Sequence, residues 1–136
     1  MRLNRFIASS GICSRRKADI LIVSGLIYVN GSVKPDFSYI VSDNDIVEYQ
    51  GQRILLNTRC TYILNKPRGF ISSNYDKYNS KTIFNLIDTN VRLFSIGRLD
   101  IDTTGIILLT NDGDLSYKLS HPKFSIEKKY FVQTWY

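Results

Sequence analysis

The segment Gly97-Arg98-Leu99-Asp100-Ile101-Asp102-Thr103-Thr104-Gly105 places two carboxylates, an arginine and two hydroxyls between glycines. It follows a short apolar stretch (Leu93, Phe94, Ile96) and leads into Ile106-Ile107-Leu108-Leu109-Thr110, which reads as a buried strand. A carboxylate on a polar, glycine-ended turn at a strand end is presented to a substrate. Arg98, two residues away, is expected to hold Asp100 ionised, because a nearby cation favours the charged form. A carboxylate so placed can act as nucleophile or as base. The spacing Asp100-x-Asp102-x-Thr104 also fits the first half of a calcium loop. That loop needs a glutamate at its twelfth position, where Asn111 stands, and flanking helices where the pattern predicts a strand. Calcium is excluded on both counts.

Three further clusters bear on chemistry. Asn65-Lys66-Pro67-Arg68-Gly69 follows a strand-like run, Thr61 to Leu64. Pro67 restricts the residues before it to extended geometry and Gly69 allows a sharp turn. Lys66 and Arg68 are therefore candidates either for phosphate contact or for shaping that turn. Glu127-Lys128-Lys129-Tyr130-Phe131-Val132 offers cations beside a flat aromatic face on a predicted apolar strand, Tyr130 to Val132. Near the N-terminus, Arg2, Arg5, Arg15, Arg16 and Lys17 all precede the first acidic residue, Asp19.

The elements that position these residues fall into two units. In residues 1–59, Leu3, Phe6, Ile7 and Ala8 predict a short helix ending near Gly11. Ser14 is the expected N-cap of a second helix, with Ala18, Leu21 and Ile22 inward until Gly25. Leu26 to Val29 reads as a strand, Asn30-Gly31 as a hairpin turn and Ile46 to Tyr49 as another strand turning at Gly51. A linker is expected around residues 51–60. In residues 60–136, Thr82 to Ile87 predicts a short helix and Arg92 to Ile96 a strand. A helix over Asp114 to Ser120 follows, with His121 at its end in a capping role. Arg15-Arg16-Lys17 opens the second helix, where cations oppose the macrodipole. Phosphates at that helix start would compensate, meeting the side chains and free backbone N–H groups.

Composition agrees with a globular nucleic-acid binder. The chain has 136 residues, 43% apolar and 22% charged, with 18 basic against 12 acidic side chains and a net charge of +6. Residues 1–59 hold 8 basic and 5 acidic side chains and the remainder 10 and 7, so both units carry a positive excess. Cys13 and Cys60 lie far apart without a CxxC partner, which points away from a disulfide framework or zinc site and fits a reducing cytoplasm. One histidine, His121, supports neither a multi-histidine metal site nor a Ser-His-Asp triad. No run approaches the length of a membrane span or signal peptide.

The order Arg2-Leu3-Asn4-Arg5-Phe6, Cys13-Ser14-Arg15-Arg16-Lys17-Ala18, Gly25 and Val29-Asn30-Gly31 resembles an S4 RNA-binding domain. The block from Gly97 to Gly113, with Asn65-Lys66-Pro67-Arg68-Gly69 upstream and Lys128-Lys129-Tyr130 downstream, resembles the RsuA-type pseudouridine synthases that modify ribosomal RNA. The resemblance implies an α+β chain: a small S4 domain followed by part of a synthase domain built on a mixed or antiparallel sheet. It implies uridine isomerisation with Asp100 as the reacting carboxylate, Arg98 beside it filling space left by the flipped nucleotide, and Tyr130 against the uracil ring. RNA contacts would come from Arg2, Arg5, Ser14, Arg15, Arg16, Lys17, Lys66, Arg68 and Lys128. No metal, nucleotide cofactor or membrane is implied, and ribosomal RNA is the expected partner. Catalytic domains of this type continue well beyond the tyrosine motif, so later strands and a basic partner of the aspartate are expected to come from a further segment or a partner. The strand at Tyr130 to Val132 would lack neighbours without them. Two alternatives remain open at this point: an inactive remnant that binds RNA through its S4 domain, and an S4 ribosome-associated binding protein.

Replacing Arg15, Arg16 and Lys17 together with alanine is expected to weaken binding to structured RNA. The slope of log affinity against log salt should flatten by about 2–3, one unit or slightly less for each lost phosphate contact. A titration over salt concentration checks this, and an unchanged slope would remove the helix start from the RNA interface.

Overall fold

A computed structural model describes residues 1–74 and 81–135. The first unit packs two helices on a four-stranded sheet. Helix α1 (Leu3–Ser9) follows extended Arg2, and α2 (Arg15–Val23) starts at Ser14, whose hydroxyl accepts the Lys17 N–H at 3.3 Å. The helical spacing of Leu3 and Ile7 in α1, and of Ala18, Leu21 and Ile22 in α2, turns these residues toward one another. They close over β1 (Ile27–Val29) and β3 (Val47–Tyr49), whose alternate residues Ile27, Val29 and Val47 point inward. Burying aliphatic side chains of this kind contributes roughly 1.5–3 kcal/mol each.

Asn30 and Gly31 both take positive φ, 53° and 77°, and make the expected two-residue hairpin from β1 into β2 (Ser32–Val33). Gln50 and Gly51, at 51° and 73°, repeat the turn between β3 and β4 (Gln52–Arg53). The strand order is β2-β1-β3-β4, all antiparallel. Gln52 and Arg53 therefore belong to the first sheet and not to the linker expected from Gly51. Ile54 is also buried in the first core, its N–H donating to the Val47 carbonyl at 2.8 Å. Glutamine is seldom found at positive φ, so Gln-Gly is a weaker turn signal than Asn-Gly.

The second unit is an antiparallel sheet of β5 (Thr61–Lys66), β6 (Phe94–Ile96) and β7 (Gly105–Thr110), in the order β5-β7-β6. A 3-10 turn, η1 (Ile83–Leu86), and helix α3 (Gly113–Ser120) accompany it, and the chain is α+β. Its core gathers Ile83, Leu93, Ile107 and Leu109. His121 ends α3 and caps a second 3-10 turn, η2 (Pro122–Phe124), where its Nδ1 accepts the Lys123 N–H at 3.3 Å. Residues 125–135 form neither helix nor strand, which corrects the strand expected over Tyr130 to Val132. A strand exists only where its backbone groups find a ladder partner, and none of the described residues supplies one there. Tyr130, Phe131, Val132 and Trp135 are exposed. Among the described residues, no helix is long and apolar enough to cross a membrane.

The start of α3 ties the units together. Asp112 is its N-cap, accepting the N–H groups of Asp114 and Leu115. The other oxygen of Asp112 accepts from Arg59 at 2.9 Å, and Asp114 pairs with Arg5 at 2.6 Å and Arg59 at 3.4 Å. Asn111 holds the linker from both sides, accepting the Cys60 N–H and donating to the Thr58 carbonyl, each at 2.8 Å.

Asp45 supports a test within the first unit. Its carboxylate accepts from the Ser42 N–H, the Asn30 amide and the Tyr39 hydroxyl. The Ser42 N–H above all, and then Asn30, pull its pKa from 3.8 to about 2. The folded value lies below the unfolded one, so the stabilisation is complete above the ordinary carboxylate range and is lost as pH falls toward about 2. A carboxyl-carbon NMR titration should place the Asp45 midpoint near 2, and the stability gap between wild type and Asp45→Asn should close across the same window.

Candidate active site

The Asp100 turn is held almost entirely through its backbone. β6 ends at Ile96, Gly97 reverses the chain at φ 77°, and the Thr103 N–H donates to the Asp100 carbonyl at 3.0 Å to close the turn. Gly105, at φ 136°, opens β7. Arg98, Asp100 and Asp102 are all exposed on this turn.

Beneath the turn lies Lys66, the last residue of β5 and fully buried. The period of two along β5 places it on the same face as Tyr62 and Leu64, while Thr61, Ile63 and Asn65 face outward. Its three N–H donors are shared among four carbonyls, those of Asp100 (2.9 Å), Ile101 (3.1 Å), Thr103 (2.8 Å) and Pro67 (3.2 Å). The Gly69 N–H adds a bond to the Ile101 carbonyl at 2.8 Å. The expected contact between Lys66 and RNA phosphate is therefore wrong, because the ammonium is buried and its donors are spent on the turn. Burial lowers the Lys66 pKa, and the charges of Asp102 and Asp100 act to raise it again.

The same observation changes the electrostatic partner of Asp100. Among the described residues, Arg98 makes no ion pair with Asp100. The expected pairing with Arg98 is not formed, and the cation that interacts electrostatically with Asp102 and Asp100 is Lys66, inside the fold. Arg98 and Asp100 are two residues apart on an exposed turn, and such proximity alone does not bring their side chains together.

Arg15, Arg16 and Lys17 are exposed side by side at the start of α2, and no acidic residue stands in that first turn. Arg2 and Arg68 are exposed as well. Arg5 is instead paired with Asp114, and exposed Ser14 accepts the Lys17 N–H as the N-cap, which leaves its own O–H donor uncommitted. Lys128 is exposed, and its ammonium lies 3.8 Å from where a Cβ on Gly97 would stand, so this side chain reaches the Gly97 end of the Asp100 turn. Tyr130 is 65% exposed and makes no hydrogen bond or ring contact among the described residues. No three His, Cys, Asp or Glu side chains come together among the described residues as a metal-holding group.

Ser72 was not singled out in the sequence. It is buried, and its hydroxyl donates to the Leu99 carbonyl at 2.8 Å while accepting the Leu99 N–H at 3.1 Å. A serine in an irregular stretch carries no periodic signal. Lys66 did carry one, since the alternation of β5 assigns it to the inner face.

The profile described as RNA pseudouridylate synthase matches residues 61–134, more than half of the chain. This chain belongs to the RNA pseudouridylate synthase family. The S4 domain profile matches residues 1–47. The chain is 41% identical over 133 residues to ribosomal large subunit pseudouridine synthase B of Bacillus subtilis, covering 97% of this chain and 54% of that protein. It is 35% identical to an uncharacterized RNA pseudouridine synthase of Aquifex aeolicus, covering 98% and 57%. It thus spans about half the length of the curated relatives it matches. A solved pseudouridylate synthase aligns with 91% of this chain and 54% of its own, at 32% identity and a TM-score of 0.49.

Lys66→Met keeps the apolar stem and removes the donors from the carbonyls of Asp100, Ile101 and Thr103. It is expected to destabilise the second unit by about 1–3 kcal/mol, the usual cost of leaving buried groups unpaired. RNA affinity at fixed salt should stay within about twofold, opposite to the loss of a phosphate contact. Urea denaturation and a binding titration on the same variant check both parts.

Proposed function

We propose that this chain carries the RNA-gripping and Asp100-bearing parts of an enzyme that isomerises a uridine of ribosomal RNA to pseudouridine. The family profile over residues 61–134 supports the reaction type, and the ribosomal name of the Bacillus subtilis relative supports the substrate. The observation that carries the assignment to this turn is an exposed carboxylate, Asp100, on a backbone anchored by a buried cation.

The reaction breaks the bond from N1 of uracil to C1′ of the ribose and forms one from C5 to C1′. C5 loses a proton and N1 gains one, so nothing is oxidised or reduced and no group is brought from outside. An ionised carboxylate at the sugar serves either by attack at C1′ or by taking the proton from C2′. The base must leave its stack to reach Asp100, at a cost of a few kcal/mol. Arg98, exposed beside Asp100, is proposed to occupy the place of the extruded nucleotide. Tyr130 has a free ring face for the uracil, and Lys128 lies at the edge of the same turn. We assign residues 1–59 to the RNA-binding domain and residues 60–136 to the catalytic one. Two separate hydrophobic cores support that division, one ending at Ile54 and the other reached at Cys60. Arg2, Arg15, Arg16, Lys17 and Arg68 are the exposed cations proposed to meet phosphate, and the cytoplasm is the proposed compartment.

Asp100→Asn preserves size and removes the charge. In an assay with ribosomal RNA and the chain completed by the further segment or partner expected beyond the tyrosine motif, pseudouridine formation should fall below detection; the 136 residues alone should show little or no turnover. RNA affinity should stay within about twofold of wild type, because phosphate contacts lie elsewhere. Product formation that survives the substitution would sink the role of Asp100.

A further inference from the structure

The peptide groups on either side of the Asp100 Cα are held by two different buried side chains. The 100–101 peptide is gripped through the Asp100 carbonyl by Lys66 at 2.9 Å. The 99–100 peptide is gripped through the Leu99 carbonyl by the Ser72 hydroxyl at 2.8 Å, and the same oxygen accepts the Leu99 N–H at 3.1 Å. Fixing both peptides fixes φ and ψ of Asp100, which leaves only its own side-chain torsions free. One hydroxyl that donates to and accepts from a single residue acts like a short strand partner.

Ser72 is itself firmly placed. Ile71 bridges to Thr82: its N–H donates to the Lys81 carbonyl, and its carbonyl accepts the Ile83 N–H, both at 3.0 Å. Ile83 is fully buried in the second core. On the other side, the Asn74 amide donates to the Leu93 carbonyl at 2.7 Å, just before β6. The segment 71–74 therefore bridges the core around Ile83 to the chain that runs into the Asp100 turn.

We propose that Ser72 is a positioning residue for the Asp100 carboxylate, acting through the backbone of Leu99. The inference rests on the assignment of Asp100 as the reacting group. Displacement of a reacting atom by about 1 Å costs on the order of 100-fold in rate, so a latch that holds the backbone of the reacting residue belongs to the catalytic geometry as much as to the fold. Loss of the hydroxyl frees the Leu99 peptide and lets Asp100 sample positions from which the ribose is out of reach. Substrate affinity, carried by cations elsewhere, is untouched.

The test compares Ser72→Ala, Ser72→Thr and Ser72→Cys in the chain together with the further segment or partner expected to complete the catalytic domain, with rates expressed per folded molecule from circular dichroism at the assay temperature. Ser72→Ala should lower kcat about 10- to 100-fold with KM within about threefold. Ser72→Thr, which keeps the hydroxyl, should restore kcat to within about threefold, and Ser72→Cys should fall between. A purely architectural serine would lower the folded fraction and leave kcat per folded molecule at the wild-type value, and that result overturns the proposal. A rise in KM at constant kcat overturns it too. Asp100→Asn runs alongside: an inactive wild type defeats the assignment of the reaction, while an active wild type with an unaffected Ser72→Ala defeats only the latch. A readout independent of turnover is amide exchange at Leu99, which should accelerate about tenfold in Ser72→Ala and recover in Ser72→Thr. Unchanged exchange would refute the latch whatever the activity.

Discussion

Everything around the candidate site depends on where one buried ammonium sends its hydrogen bonds. An isolated buried lysine is costly unless its donors are satisfied, and Lys66 meets that requirement with backbone carbonyls, three of them from the Asp100–Thr103 turn. The arrangement ties the end of β5 to a turn more than thirty residues away in sequence. Carbonyl partners leave the carboxylates of Asp100 and Asp102 free at the surface while keeping a positive charge under them. A carboxylate partner for Lys66 would have spent the group that the proposed chemistry needs.

The second organising contact is at the start of α3. Asp112 caps the helix and also faces Arg59, Asp114 receives Arg5 and Arg59, and Asn111 holds the backbone on both sides of Arg59. These ion pairs are partly exposed, and pairs of that kind contribute about 0–1 kcal/mol each. Their effect lies in orientation, since the bidentate reach of Arg59 across two aspartates and the two amide bonds of Asn111 fix the path between the units. Arg5 is thereby withdrawn from the set of cations facing solvent, and the exposed positive charge of the first unit concentrates at the start of α2.

Alternation and turn chemistry were enough to read most elements. The helices over Leu3–Ser9 and Arg15–Val23, the Asn30-Gly31 hairpin and the strands on either side of the Asp100 turn all stand where the pattern places them. The short strand after Gln50-Gly51 escaped because Gln50, the first residue of its turn, is not a type that signals positive φ. The strand over Tyr130 to Val132 was over-read because β propensity describes a side chain's fit to a sheet and does not supply the neighbouring strand.

By itself, the sequence determined the family resemblance, the α+β class, the two-unit order and Asp100 as the candidate carboxylate, because each follows from residues close together in the chain. The tertiary structure alone decided that Lys66 belongs to the turn and not to RNA, that Arg5 is paired to Asp114, and that Ser72 and Lys66 close on the two peptides beside Asp100. The physical reason is that a hydrogen bond is set by where donors and acceptors meet in space. A lysine or a serine has the same valence in every sequence, and the partner it spends it on is fixed only when distant segments pack together.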